Sequence, residues 1–321
     1  WSDQYGPQQV RAEQAWATST GAGTVIAIVD SGVDLGHEDL QSKLVPGATF
    51  VDCNPSCGNG DYRGPNGVND GDEHGTHVAG IAAAATGNGV GIAGVARDAS
   101  IMPVKVLEGG SGSFEDIANG IRWAADNGAD VVNLSLGALQ GVQALVLTGI
   151  ETSVQDAILY ARGKGVAVIA AAGNDSIPVC NTPGFDEGVL CVVATDKREV
   201  RSAYSSGPIR PDLNAVSAPG GSLLPVCGED IVSTVPAGTS GSGATCGYGD
   251  NYDEYAGTSM ASPHVAGVAA LLAAQGRSVD NIYSALTSTA RTPGAGVRGV
   301  FTPAYGYGIV DAAAAVATPV G

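Results

Sequence analysis

Positive charge is scarce in this chain: 15 Lys and Arg stand against 32 Asp and Glu, giving a formal net charge of −17. Nucleic-acid binding depends on basic patches that neutralise phosphates, so that class of function is excluded. No apolar run reaches the roughly 20 residues of a membrane-spanning helix, so no membrane partner is expected. The six cysteines include no C-x-x-C pair, which argues against zinc and against thioredoxin-type redox chemistry. Internal repeats are missing, and so is a convincing linker. The Gly- and Ser-rich stretch Ala237–Gly249 lies between two chemically loaded segments and reads as a surface loop. A single domain over residues 1–321 is expected.

What is present is a globular composition, with 44% hydrophobic residues, 15% charged residues and 48 glycines. An acidic surface keeps an exported protein soluble and supplies carboxylates for calcium. Six cysteines allow 15 connectivities. Their grouping along the chain favours Cys53–Cys57, Cys180–Cys191 and Cys227–Cys246, and disulfides imply an oxidising, extracellular compartment. The chain opens at Trp1 without a charged-then-apolar leader, so export implies that a signal and any pro-segment have been removed.

Short apolar, β-branched runs at Thr24–Asp30, Ile101–Leu107, Ala129–Leu136, Gly165–Ala172 and Val189–Thr195 read as buried parallel strands. Helical patterns fall at His74–Ala85, Phe114–Asn127, Ser153–Gly163, Met260–Gln275 and Val279–Ala290. The alternation predicts an α/β fold, a three-layer, doubly wound, mostly parallel sheet with helices on both faces. Ligands gather beyond the carboxyl ends of such strands, where Asp30, Ser135 and Asn174 converge.

Three segments carry the chemistry: Val29-Asp30-Ser31-Gly32-Val33-Asp34, His74-Gly75-Thr76-His77-Val78-Ala79-Gly80, and Gly257-Thr258-Ser259-Met260-Ala261-Ser262-Pro263-His264-Val265-Ala266-Gly267. A serine becomes a nucleophile only when a base takes its proton, and the base needs a carboxylate to hold its tautomer. Asp30, His74 and Ser259 supply these roles in the order Asp, His, Ser. Each has a plainer reading alone, as a turn cap, a core histidine and a helix cap. All three motifs in that order resemble the subtilisin-like serine protease family, the subtilases. The similarity runs from about Tyr5 to about Ala315, and Gln4–Gln8, Ala15-Trp16 and Gln275–Ser278 are most like its thermitase-type members.

The resemblance implies a secreted serine endopeptidase, made as a zymogen whose pro-segment aids folding and inhibits, and acting as a monomer on polypeptide substrates. It makes His74 the base and leaves His77, His264 and Asp34 structural. Asn174, in Ala170–Asn174, matches the asparagine whose amide points into the oxyanion hole, beside the backbone N–H of Ser259. Its plain alternative is a turn residue after glycine. Gly110-Ser111-Gly112 and Ser135-Leu136-Gly137 match the edge strands that pair with substrate backbone, and Gly110–Gly112 has a flexible loop as its plain alternative. Phe114, Ile117 and Leu136 match a pocket for the fourth residue before the scissile bond; Phe114 and Ile117 read equally well as helix core. Ala171, Ala172 and Gly173 match a wall of the primary pocket, with Asn181 near its base, which implies broad specificity favouring large apolar side chains.

For calcium, the resemblance implies ligands from Asp39, Thr86, Asn88, Val90 and Ile92. The family's further ligand from the N-terminal arm has no identifiable counterpart before Tyr5. The Asp- and Asn-rich insert Asp52–Asp72 reads either as a second cation site or as a solvated loop. Carboxylates at Asp70, Asp72 and Glu73 run into His74, where they are placed to raise its pKa or to attract basic side chains, with a surface loop or calcium site as the plainer reading. Two other classes compete: a binding module on the same scaffold, which requires a damaged triad, and another serine hydrolase such as an esterase. The G-x-S-x-G elbow of an α/β-hydrolase is absent around Ser259.

Overall fold

The computed structural model describes residues 3–64, 72–138, 152–239, 241 and 245–320. Seven parallel strands form the main sheet: β1 (Val25–Asp30), β2 (Ala48–Thr49), β3 (Ser100–Lys105), β4 (Val131–Leu134), β5 (Ala167–Ala171), β6 (Val189–Thr195) and β7 (Ala215–Pro219). Their spatial order is β2-β3-β1-β4-β5-β6-β7. The chain leaves β1 toward one side through β3 and returns to its other side with β4, which creates a switch point at the carboxyl end of β1.

Strand side chains alternate between two apolar layers, as a pleated sheet buried on both faces requires. Ile26, Ile28, Val131 and Ile169 pack with α3 (His74–Ala83) and α6 (Thr258–Ala273). Ala27, Val29, Val132 and Val168 pack with α4 (Phe114–Asp126) and α5 (Ser153–Gly163). Helix α4 starts where Ser113 Oγ accepts the Asp116 N–H at 3.0 Å, with Glu115 and Asp116 favouring the positive end of its dipole. The expected three-layer, doubly wound architecture is therefore present.

Some elements were not apparent in the sequence. Strand β7 is broken in pattern by a serine and a proline. An antiparallel hairpin, β8 (Ile231–Thr234) with β9 (Tyr252–Tyr255), carries acidic residues in its second strand. The short helices α1 (Tyr5–Gln9), α2 (Ala12–Ala15) and α8 (Ala312–Val316) are too brief for a helical period to show. Helix α7 (Val279–Thr289) was expected. Disulfides join Cys53 to Cys57, Cys180 to Cys191 and Cys227 to Cys246, the pairing that the cysteine grouping favoured. Among the described residues no helix is long and apolar enough to cross a membrane.

Candidate active site

The switch point gathers the expected residues. Asp30 ends β1, fully buried, and its Oδ1 lies 2.7 Å from His74 Nδ1. A carboxylate only accepts, so Nδ1 carries the proton and Nε2 is left as the basic nitrogen. Ser31 Oγ accepts the Gly75 N–H at 3.0 Å, pinning the start of α3 to the end of β1. A side chain at Gly75 would meet the Gly32 carbonyl at 2.1 Å, so only glycine allows this approach. Burial opposes the imidazolium of His74, but the Asp30 charge and hydrogen bond, with Asp72 and Glu73, outweigh it and raise the pKa above the ordinary value.

Ser259 lies in the first turn of α6, and its Oγ donates to the Ser135 carbonyl at 3.1 Å. Ser259, His74 and the buried Asp30 line one cavity of about 490 Å³. Asn174 follows β5. Its Oδ1 accepts both the N–H and the hydroxyl of Thr258, each at 3.0 Å, which leaves Nδ2 to point away. A methyl placed on Gly257 would lie 3.5 Å from Asn174 Nδ2 and 3.6 Å from Ser259 N, so both nitrogens border one small volume.

The cavity is lined by Gly110, Ser111 and Gly112 and by Ser135, Leu136 and Gly137. Neither segment belongs to a sheet strand of the chain itself. Gly109 and Gly110 adopt positive φ and turn the chain so that Glu108 and Ser111 bridge each other, while β4 stops at Leu134. Asp72 holds this turn: its carboxylate accepts the Gly110 N–H at 3.0 Å and the His74 N–H at 3.4 Å. Asp70 lies outside the described residues. Glu73 accepts the Tyr255 hydroxyl at 2.6 Å.

Phe114 and Ile117 fill both of the roles open to them, lining the cavity and packing into the α4 side of the core. Ala171 lines the cavity with Thr182 and Pro183, whereas Ala172, Gly173 and Asn181 fall outside that lining. Asn181 packs against Gly173 and donates to Asp175. His77 is fully buried, stacked on Tyr255 at 4.4 Å, and burial together with the His74 charge holds its pKa down to about 3. Burial lowers His264 to about 4, so both histidines stay neutral. Asp34 caps a turn by accepting the Gly36 N–H.

The expected calcium loop folds onto Asp39. This carboxylate is fully buried and accepts Asn88 Nδ2 at 2.7 Å and the Ile92 N–H at 2.8 Å. Burial raises its pKa, with those hydrogen bonds and His37 acting the other way. Gly91, at φ 59°, brings the loop so close that a Cβ would sit 2.3 Å from Asp39 Oδ2. Thr86 Oγ1 is bonded to the Ala84 carbonyl, and Val90 is exposed on the loop. The arm is tied down by Gln4, whose amide exchanges hydrogen bonds of 3.1 and 2.8 Å with the Ala93 backbone. In the insert, Asp61 pairs with Arg63, and residues 65–71 lie outside the described residues. Among the described residues no group of three or more His, Cys, Asp or Glu is placed to hold a metal.

Residues missed in the sequence are Thr258, Asn133 and Ser262. Ser262 is one helical turn from Ser259, and Asn133 is the lone polar residue in the apolar strand β4, which were the available signals.

Fold and site together place the protein among serine hydrolases built on a doubly wound sheet. The subtilase family profile matches residues 21–308. Thermitase of Thermoactinomyces vulgaris is 44% identical over 292 residues, covering 90% of this chain and 88% of that protein. An extracellular protease of Xanthomonas campestris is 36% identical over 333 residues, covering 94% of this chain and 52% of its own length. A solved protease structure from Pseudoalteromonas arctica superposes with a TM-score of 0.79 at 35% identity, covering 99% of this chain and 97% of the other. The chain belongs to the subtilase family and is a serine endopeptidase.

Proposed function

We propose that the chain hydrolyses peptide bonds through an acyl-enzyme with Asp30, His74 and Ser259 as triad. The observation that carries this reading is the 2.7 Å Asp30–His74 contact opening onto the cavity that Ser259 shares. Ser259 Oγ swings from the Ser135 carbonyl toward His74 Nε2, loses its proton there and attacks the scissile carbonyl carbon. The oxyanion takes hydrogen bonds from Asn174 Nδ2 and Ser259 N. Collapse breaks the C–N bond as His74 passes its proton to the departing amine. Water, deprotonated by the same nitrogen, then releases the acid and restores the serine.

The peptide lies between Gly110–Gly112 and Ser135–Gly137. The apolar walls at Leu107, Phe114, Ile117, Leu136 and Val154 support broad specificity for large apolar side chains. The buried, raised-pKa carboxylate of Asp39 and the loop wrapped on it fit a hard cation. Asp39, an Asn88 amide turned to present oxygen, and the carbonyls of Thr86, Val90 and Ile92 would hold it. Bound calcium would add stability to the folded chain alone. Three disulfides support an extracellular setting.

The test is incubation with casein and a serine-directed covalent inhibitor. Peptide products and labelling confined to Ser259 are expected. Labelled Ser259 with ester but no peptide cleavage would assign an esterase, and no labelling would assign a binding module.

A further inference from the structure

A chain of polar side chains runs beneath the nucleophile through otherwise apolar packing. Asn133 is fully buried within β4, on the face shared with Val131 that packs toward α6. Burying an amide is costly unless it is hydrogen-bonded. Both ends of this one are engaged: Oδ1 accepts Ser262 Oγ–H at 2.7 Å, and Nδ2 donates to Ser135 Oγ at 2.9 Å. Ser135 Oγ–H passes the chain on to the Ser259 carbonyl at 2.7 Å. In a regular helix that carbonyl would accept the N–H four residues on, but that residue is Pro263, which has none. The proline thus leaves the nucleophile's own carbonyl open to a side-chain donor.

We infer that Asn133, Ser135 and Ser262 are positioning residues that tie the first turn of α6 to the end of β4. This rests on Ser259 being the nucleophile. The turn carries both Ser259 Oγ and the Ser259 N–H, and the end of β4 leads directly into the Ser135–Gly137 wall of the cleft. One strut therefore registers the attacking oxygen and an oxyanion donor against the backbone that aligns the substrate. Small misplacements of such groups are costly, about a hundredfold in rate for about 1 Å.

The experiment measures kcat and KM on a peptide amide, per site titrated with a serine-directed phosphonate, for Ser262→Ala, Ser135→Ala and the double variant. Each single change is expected to lower kcat about tenfold or more with little change in KM, because only transition-state alignment is lost. The double variant is expected to lose little more than either single one, since all act through one chain. Should Ser262→Ala fail to accumulate folded, Ser135→Ala gives the same reading from the cleft side. Normal kcat per titrated site, or losses that multiply, would overturn the strut while leaving the protease reading intact. A wild-type chain that neither cleaves peptides nor takes the phosphonate label at Ser259 would instead remove the reading on which the strut rests.

Discussion

Asp30 and Asp39 are both fully buried carboxylates at the edges of the same apolar layer, yet their surroundings make opposite use of the charge. Asp30 Oδ1 takes the Ser31 N–H and the His74 ring, and its Oδ2 has no hydrogen-bond partner among the described residues. Its charge is thus directed onto one imidazole. Asp39 is met by two neutral donors, Asn88 Nδ2 and the Ile92 N–H, and burial raises its pKa. A buried carboxylate hydrogen-bonded to a titratable base can fix a tautomer; one whose hydrogen-bond donors are neutral holds charge that a cation can answer. The two sites should therefore separate cleanly, one governing rate and the other stability.

The largest effect tests the first half of that contrast. Asp30→Asn keeps the shape but lets the ring take the wrong tautomer, and kcat should fall about 10⁴-fold with KM little changed. Stopped-flow or steady-state kinetics on a peptide amide would show it. A fall below tenfold would mean that the Asp30 charge does not orient the base. Next in size is Asn174→Ala, which removes one donor from the small volume beside Gly257 and should lower kcat about 10²–10³-fold. A large KM change at normal kcat would assign Asn174 to substrate binding.

The second half is tested by removing metal. With free calcium at about a hundred times Kd, binding contributes about 2.7 kcal/mol to the folded state. A chelator should therefore lower Tm by several degrees, and Asp39→Asn should abolish that dependence. Differential scanning calorimetry with and without chelator reads both. An unchanged Tm would leave Asp39 as a hydrogen-bonding post for the 86–92 loop.

The contrast also explains what the sequence could convey. Strands β1 and β6 were legible because β-branched runs end in polar residues, and Asp30, His74, Ser259 and Asn174 because each sits in a distinctive local motif. Strand β7 and the hairpin were not, since Ser217 and Pro219 interrupt one run and Asp253 and Glu254 stand in the other. The strut was hidden for a different reason. Asn133 and Ser262 are 129 residues apart, and nothing local to either announces a partner that only the packing of α6 on β4 provides. Gln4 was missed likewise: its partner, the Ala93 backbone, lies 89 residues away.

The smallest expected effect sharpens the account of Asp30 by asking how much other carboxylates share its task. Asp72 and Glu73 add to the rise in the His74 pKa, though Asp72 also holds the Gly110 turn and Glu73 the Tyr255 hydroxyl. His74 must be neutral to accept the serine proton, so a raised pKa places the acidic limb of kcat/KM at higher pH than an ordinary imidazole would. Replacing both by Asn and Gln keeps the hydrogen-bonding shapes, removes the charges, and should move that limb to lower pH. The shift should shrink as salt is added, because both groups are near the surface and screened. A limb that stays in place would mean that Asp30 alone sets the base, with Asp72 and Glu73 serving only to hold the cleft's backbone.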